Sequence, residues 1–172
     1  LSEMALLHAS VGVDVVAPSD MMDGRIGHIR NQLEDHGFLD TIILAYTAKY
    51  ASSLYGPFRD ALQSAPKAGD KKTYQMDVAN REEAFKEAML DLEEGADILM
   101  VKPASWYLDI IRDLKDSVHI PIAGYHVSGE YAMLKFASEK GIIDFKAGLH
   151  EILTSIKRAG ASFIFTYGAM EF

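Results

Sequence analysis

The stretch Gly95-Ala-Asp-Ile-Leu-Met-Val-Lys102 decides the fold, because two other segments of the chain repeat its pattern. They are Gly12-Val-Asp-Val-Val-Ala-Pro-Ser19 and Gly160-Ala-Ser-Phe-Ile-Phe-Thr-Tyr167. Each begins with a glycine that follows a helical pattern, as a left-handed residue after a helix does. Each then continues through a short apolar run, which is typical of a parallel strand buried on both faces. The repeat therefore predicts helices that alternate with parallel strands.

Two further apolar runs, 41–46 and 120–125, have the same character and are predicted strands. Helical patterns separate the five strands and cover 23–36, 80–94, 107–115, 130–140 and 145–158. Strands and helices in alternation predict a parallel α/β sheet. Two architectures fit this pattern. One is a complete open, doubly wound sheet; the other is about five of the eight strand–helix units of a barrel, which needs roughly 250 residues in full.

The composition limits the class of protein. The chain has 172 residues, of which 49% are hydrophobic and 24% are charged, and no apolar run reaches the length of a membrane span. The formal net charge of -8 argues against nucleic acid or an anionic membrane as partner. The chain has no cysteine, so it has no disulfide or thiolate metal site, which fits a cytoplasmic location.

Lysines end two of the predicted strands, and parallel α/β folds carry their active sites at that end. Lys102 follows a buried strand directly, and Lys49 lies just past the predicted strand 41–46. Burial disfavours the charged form of a lysine, and two lysines in one pocket disfavour each other's charge. A neutral lysine amine attacks carbonyl groups. The alternative is that both lysines extend their ammonium groups from strand ends into solvent.

The connection 50–79 is the longest in the chain and is predicted to be an active-site lid. Within it, Arg59, Lys71 and Gln75 offer groups that could hold a carboxylate, although a solvated basic loop has the same composition. Ser128 begins a predicted helix directly after a strand, where backbone N–H groups and a hydroxyl bind anions or simply cap the helix. The sequence has no Gly-rich nucleotide motif and no histidine pair with metal-ligand spacing, so no organic cofactor is predicted.

Six motifs in order cover nearly the whole chain: Ala17-Pro-Ser-Asp-Met-Met-Asp-Gly-Arg25, Tyr55-Gly-Pro-Phe-Arg-Asp60, Lys72-Thr-Tyr-Gln-Met-Asp77, Met100-Val-Lys-Pro103, Tyr125-His-Val-Ser-Gly-Glu-Tyr-Ala-Met133 and Lys157-Arg-Ala-Gly160. Together they resemble the porphobilinogen synthase (5-aminolevulinate dehydratase) family. The resemblance implies a (β/α)8 barrel, with residues 1–172 as its C-terminal part. It also implies that the full-length protein is a cytoplasmic homo-octamer of tetrapyrrole biosynthesis, which condenses two 5-aminolevulinate molecules to porphobilinogen.

The same resemblance implies roles for individual residues. Lys102 and Lys49 match the two Schiff-base lysines, and Lys102 holds the substrate that becomes the propionate side of the product. Ser128 and Tyr167 match residues that bind the carboxylate of that substrate. Three further residues match lid residues that serve the second substrate: Arg59, Lys71 and Gln75. Four match other positions of the pocket: Ser19, Tyr55, Phe58 and Tyr125.

The resemblance also bears on metals. Glu87 matches a position where many bacterial members bind an activating Mg²⁺ between subunits, although a surface glutamate is the simpler interpretation. The family segment that decides between zinc ligands and zinc-free acidic residues lies outside this chain, so active-site Zn²⁺ is undecided. Lys71 stands where the family usually has arginine, which predicts weaker binding of the second substrate because a point charge replaces a forked donor.

Three other functions remain compatible with the residues alone. A Schiff-base aldolase on the same barrel would use Lys102 but would need neither Lys49 nor the basic lid. An open-sheet binding module or an inactive barrel fragment would use neither lysine.

Overall fold

The computed structural model describes residues 1–57 and 72–172. Five strands form one parallel sheet and lie in it in the order in which they occur in the chain. They are β1 (Val15–Val16), β2 (Ile42–Lys49), β3 (Ile98–Lys102), β4 (Ile122–His126) and β5 (Phe163–Thr166). The five predicted strands are confirmed. Their bounds differ from the prediction mainly at β1, which has only two residues, and at β2, which continues past Tyr46 to Lys49.

Helices follow the strands as the repeat predicted. In the described part of the chain they are α1 (Ser2–Ser10), α2 (Arg25–Asp35), α3 (Glu82–Glu93), α4 (Leu108–Ser117), α5 (Ser128–Glu139) and α6 (Phe145–Ala159), with a 3-10 helix at Ser53–Tyr55. The three repeat glycines, Gly12, Gly95 and Gly160, have φ of 91°, 91° and 130°, which L side chains rarely adopt. None of the helices described here is long and apolar enough to cross a membrane.

The two faces of the sheet are buried in different ways. On the outer face, strand residues such as Ile43 and Leu99 share a core with the helices, including Ile29 of α2 and Ile156 of α6. On the inner face, the buried cluster contains strand residues only: Leu44, Met100 and Ala123, with Tyr46, Ile98 and Tyr125 packed against them. A doubly wound sheet reverses its strand order and carries helices on both faces. The observed order and one-sided packing instead match five consecutive units of a barrel.

One irregularity in β2 sets the direction of its last residue. The pairing of β2 with β3 shifts between Ala45 and Ala48, so β2 uses one residue more than β3 over this interval. Strict alternation from the inward-facing Leu44 would turn Lys49 towards the helices. The extra residue of this bulge reverses the alternation and turns Lys49 inward.

Candidate active site

The two predicted lysines are the last residues of neighbouring strands and lie opposite each other at the same end of the sheet. Lys49 is the last residue of β2, Lys102 is the last residue of β3, and the two are directly paired in the register. The prediction that they lie side by side at one end of the sheet is confirmed. Lys49 belongs to its strand instead of lying just past it, because β2 continues three residues beyond Tyr46.

Three tyrosine rings surround the amine of Lys102. Its Nζ lies 4.1 Å from the ring centroid of Tyr125, 5.2 Å from that of Tyr46 and 5.6 Å from that of Tyr55. Burial, and to a smaller extent the charge of Lys49, together lower the pKa of Lys102 to about 8. At pH 7.5 such a lysine is neutral in about one molecule in four, whereas an ordinary lysine is neutral in roughly one in a thousand. The rings therefore enclose an amine that is poised to act as a nucleophile.

Two of these tyrosines, Tyr125 and Tyr46, stay protonated. Burial raises the pKa of Tyr125 to about 12, with further contributions from Tyr167 and Tyr46. Burial also raises the pKa of Tyr46. Their hydroxyl groups are therefore neutral at physiological pH and add no negative charge that would favour the lysine ammonium.

The backbone of Lys102 is held by the chain that follows β2. Its carbonyl oxygen accepts a hydrogen bond from the backbone N–H of Tyr50 at 2.9 Å and another from the Tyr55 hydroxyl at 3.0 Å. The ring of Tyr50 stacks on that of Tyr107, with centroids 4.2 Å apart. The segments that follow the two lysines are therefore tied to each other, and the spacing of the lysines is fixed.

Lys49 has a more polar environment than Lys102. Its Nζ donates a hydrogen bond to Ser19 Oγ at 2.9 Å and lies 5.4 Å from the ring centroid of Tyr46. Ser19 follows β1 and is exposed. The predicted pocket residue Ser19 is thus next to Lys49, and Tyr46 lies within reach of both amines.

The far end of the predicted lid returns to the same place. Met76 pairs with Tyr50, and the Met76 N–H donates to the carbonyl oxygen of Lys49 at 3.0 Å. Gln75 is therefore buried beside the end of β2, and its Oε1 finds no hydrogen-bond partner among the described residues. The other two predicted lid residues, Arg59 and Lys71, and the predicted pocket residue Phe58 lie outside the described residues, within the interval 58–71.

The predicted carboxylate-binding residues lie on the other side of Lys102. Ser128 is the first residue of α5 and follows β4 directly, as the sequence predicted. Tyr167 follows β5 and is half exposed. Tyr125 of β4 stacks on Phe165 of β5 with centroids 5.7 Å apart, and Tyr167 lies two residues after Phe165. The end of the sheet thus gathers Lys102, Tyr125, Ser128 and Tyr167.

Sequence reasoning missed Tyr46, whose ring faces both lysine amines. Alternation along β2 was the available signal, because Tyr46 lies two residues after the inward-facing Leu44. Glu87, in contrast, lies on α3, behind the sheet, and its carboxylate is 3.7 Å from Lys86 Nζ. Burial and the charge of Asp23 raise the pKa of Glu87. No group of three or more histidine or acidic residues suited to a metal occurs within residues 1–57 and 72–172.

Known proteins are similar to this chain over almost its whole length. The family model described as delta-aminolevulinic acid dehydratase matches residues 1–172. The delta-aminolevulinic acid dehydratase of Methanothermobacter thermautotrophicus is 56% identical over 98% of this chain and 52% of its own length. That of Bacillus subtilis is 52% identical over 99% of this chain and 53% of its own length.

A solved structure shows the same fold. The Toxoplasma gondii delta-aminolevulinic acid dehydratase (porphobilinogen synthase), solved in complex with its reaction product porphobilinogen, superposes with a TM-score of 0.96. It is 54% identical, and the match covers 99% of this chain and 49% of that one. The chain thus spans about half the length of these relatives. These matches show that the chain belongs to the delta-aminolevulinic acid dehydratase family.

Proposed function

We propose that the full-length protein condenses two molecules of 5-aminolevulinate to porphobilinogen, with loss of two waters, through imines formed at Lys102 and Lys49. The observation that carries this proposal is the direct pairing of two inward-facing lysines at the carboxyl end of a barrel sheet. Each substrate has one ketone, and joining two of them calls for two amines that capture carbonyl groups in one pocket.

Burial of Lys102 among tyrosine rings favours its neutral amine, which is the nucleophilic form. The amine nitrogen would add to the carbonyl carbon of the substrate, and the carbonyl oxygen would leave as water with the two amine protons, which gives the C=N bond of the imine. The rings of Tyr125 and Tyr46 would exclude water from the amine. Their hydroxyl groups are neutral and add no negative charge. The carboxylate of that substrate would bind at Ser128 and Tyr167, where the first turn of α5 presents N–H groups.

The second substrate would bind on the Lys49 side of the pocket. Ser19 and Gln75 lie beside Lys49, and the unpartnered Gln75 Oε1 is a buried acceptor suited to an ammonium or hydroxyl donor. Arg59 and Lys71 are proposed to hold its carboxylate from the lid, and Phe58 to form part of the pocket wall. A Schiff-base aldolase would need one amine only, so the paired lysines favour the two-substrate reaction.

We further propose Glu87 as a carboxylate ligand to an activating Mg²⁺. A magnesium site needs only one or two carboxylates, since the ion keeps several of its waters. The half-buried carboxylate of Glu87 near Asp23 fits this requirement. Three expectations stay predictions. They are the homo-octameric state, the cytoplasmic location and the position of residues 1–172 in the C-terminal part of the full-length protein.

The direct test is to mix the full-length protein with 5-aminolevulinate and assay for porphobilinogen. The proposal predicts porphobilinogen and two molecules of substrate consumed per product. An imine at Lys102 without porphobilinogen would instead favour a single-substrate reaction of the aldolase type. The absence of both imine and product would indicate an inactive barrel.

A further inference from the structure

Glu130 is a buried carboxylate that the proposed reaction does not use. Its side chain is on the first turn of α5, and only 3% of the residue is exposed. One carboxylate oxygen, Oε1, accepts the backbone N–H of Ser105 at 2.6 Å. The other, Oε2, accepts the backbone N–H of Val127 at 2.5 Å. Burial raises the pKa of Glu130, and the hydrogen bonds that it accepts act in the opposite direction.

The two N–H groups that Glu130 binds belong to different active-site segments. Ser105 lies three residues after Lys102, in the loop that follows β3. Val127 directly precedes Ser128, in the loop that follows β4. A bond to the Val127 N–H alone would be ordinary capping of α5. The bond to Ser105 is different, because it ties the loop after one strand to the helix after the next.

The same helical turn also contacts the third segment of the pocket. A Cβ atom on Gly129 would lie 2.3 Å from the carbonyl oxygen of Leu54, so the 3-10 helix that carries Tyr55 packs directly on this turn. Tyr55 in turn bonds the carbonyl oxygen of Lys102. The chain segments that follow β2, β3 and β4 thus meet at Gly129 and Glu130.

We infer that Glu130 is a positioning residue, which holds Ser128 at a fixed distance from Lys102 by bridging the loops that follow β3 and β4. This inference rests on the proposed function, in which Lys102 captures the ketone and Ser128 binds the carboxylate of the same molecule. The distance between the two groups must match the length of the substrate, and a bridge with two charge-assisted bonds restricts that distance.

Two substitutions separate bridging from capping. Glu130→Gln removes the charge and leaves one oxygen for two N–H donors. Glu130→Asp keeps a carboxylate near the Val127 N–H, but it is one methylene too short to reach Ser105 as well. Asp144→Asn is the matched control, because Asp144 Oδ1 caps α6 through the Ala147 N–H at 2.8 Å, and α6 carries none of the proposed substrate-binding residues.

The readout is the rate of borohydride-trapped imine at Lys102 in the full-length protein, well below its melting temperature. Two ketones are compared: 4-oxopentanoate, which carries a carboxylate, and 2-pentanone, which does not. We expect Glu130→Asp to lower the rate with 4-oxopentanoate about tenfold, as when one charge-assisted bond is weakened, and the rate with 2-pentanone by less than about twofold. Glu130→Gln should do the same, and Asp144→Asn should change neither rate.

Equal losses for both ketones, or no loss in a folded variant, would overturn the positioning role. If Glu130→Gln fails to fold, the aspartate variant decides, because it retains the cap of α5. Failure of the wild-type protein to form any imine at Lys102 would instead contradict the proposed function itself. The two failures are therefore distinguishable.

Discussion

The inner and outer faces of the sheet both bury ionisable side chains, but they hold them differently. On the outer face, Asp91 of α3 accepts a hydrogen bond from Thr47 Oγ1 at 2.6 Å, and His126 Nδ1 lies 2.9 Å from Thr166 Oγ1. Thr47 and His126 are both buried on this face. On the inner face, the rings of Tyr125, Tyr46 and Tyr55 enclose the amine of Lys102 at the end of the strands.

Burial shifts all of these groups towards their neutral forms. It raises the pKa of Asp91 to about 6, and it lowers the pKa of His126 to about 4 and that of Lys102 to about 8. The difference between the faces is therefore one of access and not of titration. A shifted pKa on the outer face makes the stability of the fold depend on pH, whereas a shift at the inner end of the strands produces a nucleophile that a substrate can reach.

The largest expected effect is that of Lys102→Met. We expect the full-length protein to lose at least about 1,000-fold in the rate of porphobilinogen formation, because no other amine replaces the imine at this position. The fold should be retained, since methionine is comfortable among the tyrosine rings. Steady-state assays and circular dichroism measure the two effects. Lys140→Met, a change of an exposed lysine, is the control, and a rate near wild type for Lys102→Met would rule out the proposed role.

Lys49→Met should separate the two amines. Product formation should fall steeply, because the second substrate loses its imine, but Lys102 should still be trapped by borohydride. The charge of Lys49 lowers the pKa of Lys102, so its removal should move the pH dependence of trapping from about 8 to higher pH. The displacement should be small, since burial is the larger cause. A shift to lower pH would show that the amines are not coupled as described.

Asp91→Asn tests the outer face. The folded protein holds the pKa of Asp91 near 6, above the ordinary value of 3.8, so the unfolded chain loses this proton first as the pH rises. The free energy of unfolding therefore falls as the pH rises from about 4 to about 6. Asparagine has no titrating proton, so the variant does not show this fall. We expect a gain of about 1–3 kcal/mol at pH 7.5 and none near pH 4, measured by denaturant unfolding. Activity should be unchanged, and the exposed Asp40→Asn should show no such pH-dependent gain.

The smallest expected effect concerns the proposed magnesium site. Mg²⁺ should stimulate the full-length enzyme a few-fold, and Glu87→Ala should abolish the stimulation while leaving the basal rate intact, because α3 lies behind the sheet. A titration of activity against Mg²⁺ in both proteins provides the comparison, with the exposed Glu139→Ala as control. Equal stimulation of the Glu87 variant would contradict the proposal.

The strands could be predicted from sequence, because apolar runs that follow a glycine recur along the chain. The position of both lysines at one end of the sheet could also be predicted, because parallel strands all end at the same edge. Pattern alone could not choose between a barrel and an open sheet. That choice depends on strand order and on which face the helices cover, and residues such as Ile43 and Leu44 are buried on opposite faces without differing in character.

The side-chain directions in β2 were also beyond the sequence. Regular alternation would send Lys49 to the helices, and only the bulge between Ala45 and Ala48 turns it inward. Tyr46 is also the last residue of the predicted strand 41–46, where an apolar run predicts a core position. Its hydroxyl is the signal for a site, because a buried tyrosine hydroxyl usually has a polar partner. The bridge of Glu130 to Ser105 spans 25 residues, and no local pattern predicts a contact over that separation.

The most direct measurement of the central claim is borohydride reduction of the full-length wild-type protein with 5-aminolevulinate, followed by peptide mapping across a pH series. The account predicts adducts at Lys102 and Lys49 only, with labelling of Lys102 rising around pH 8. Adducts confined to other lysines, or labelling of Lys102 that rises only near pH 10.5, would contradict it.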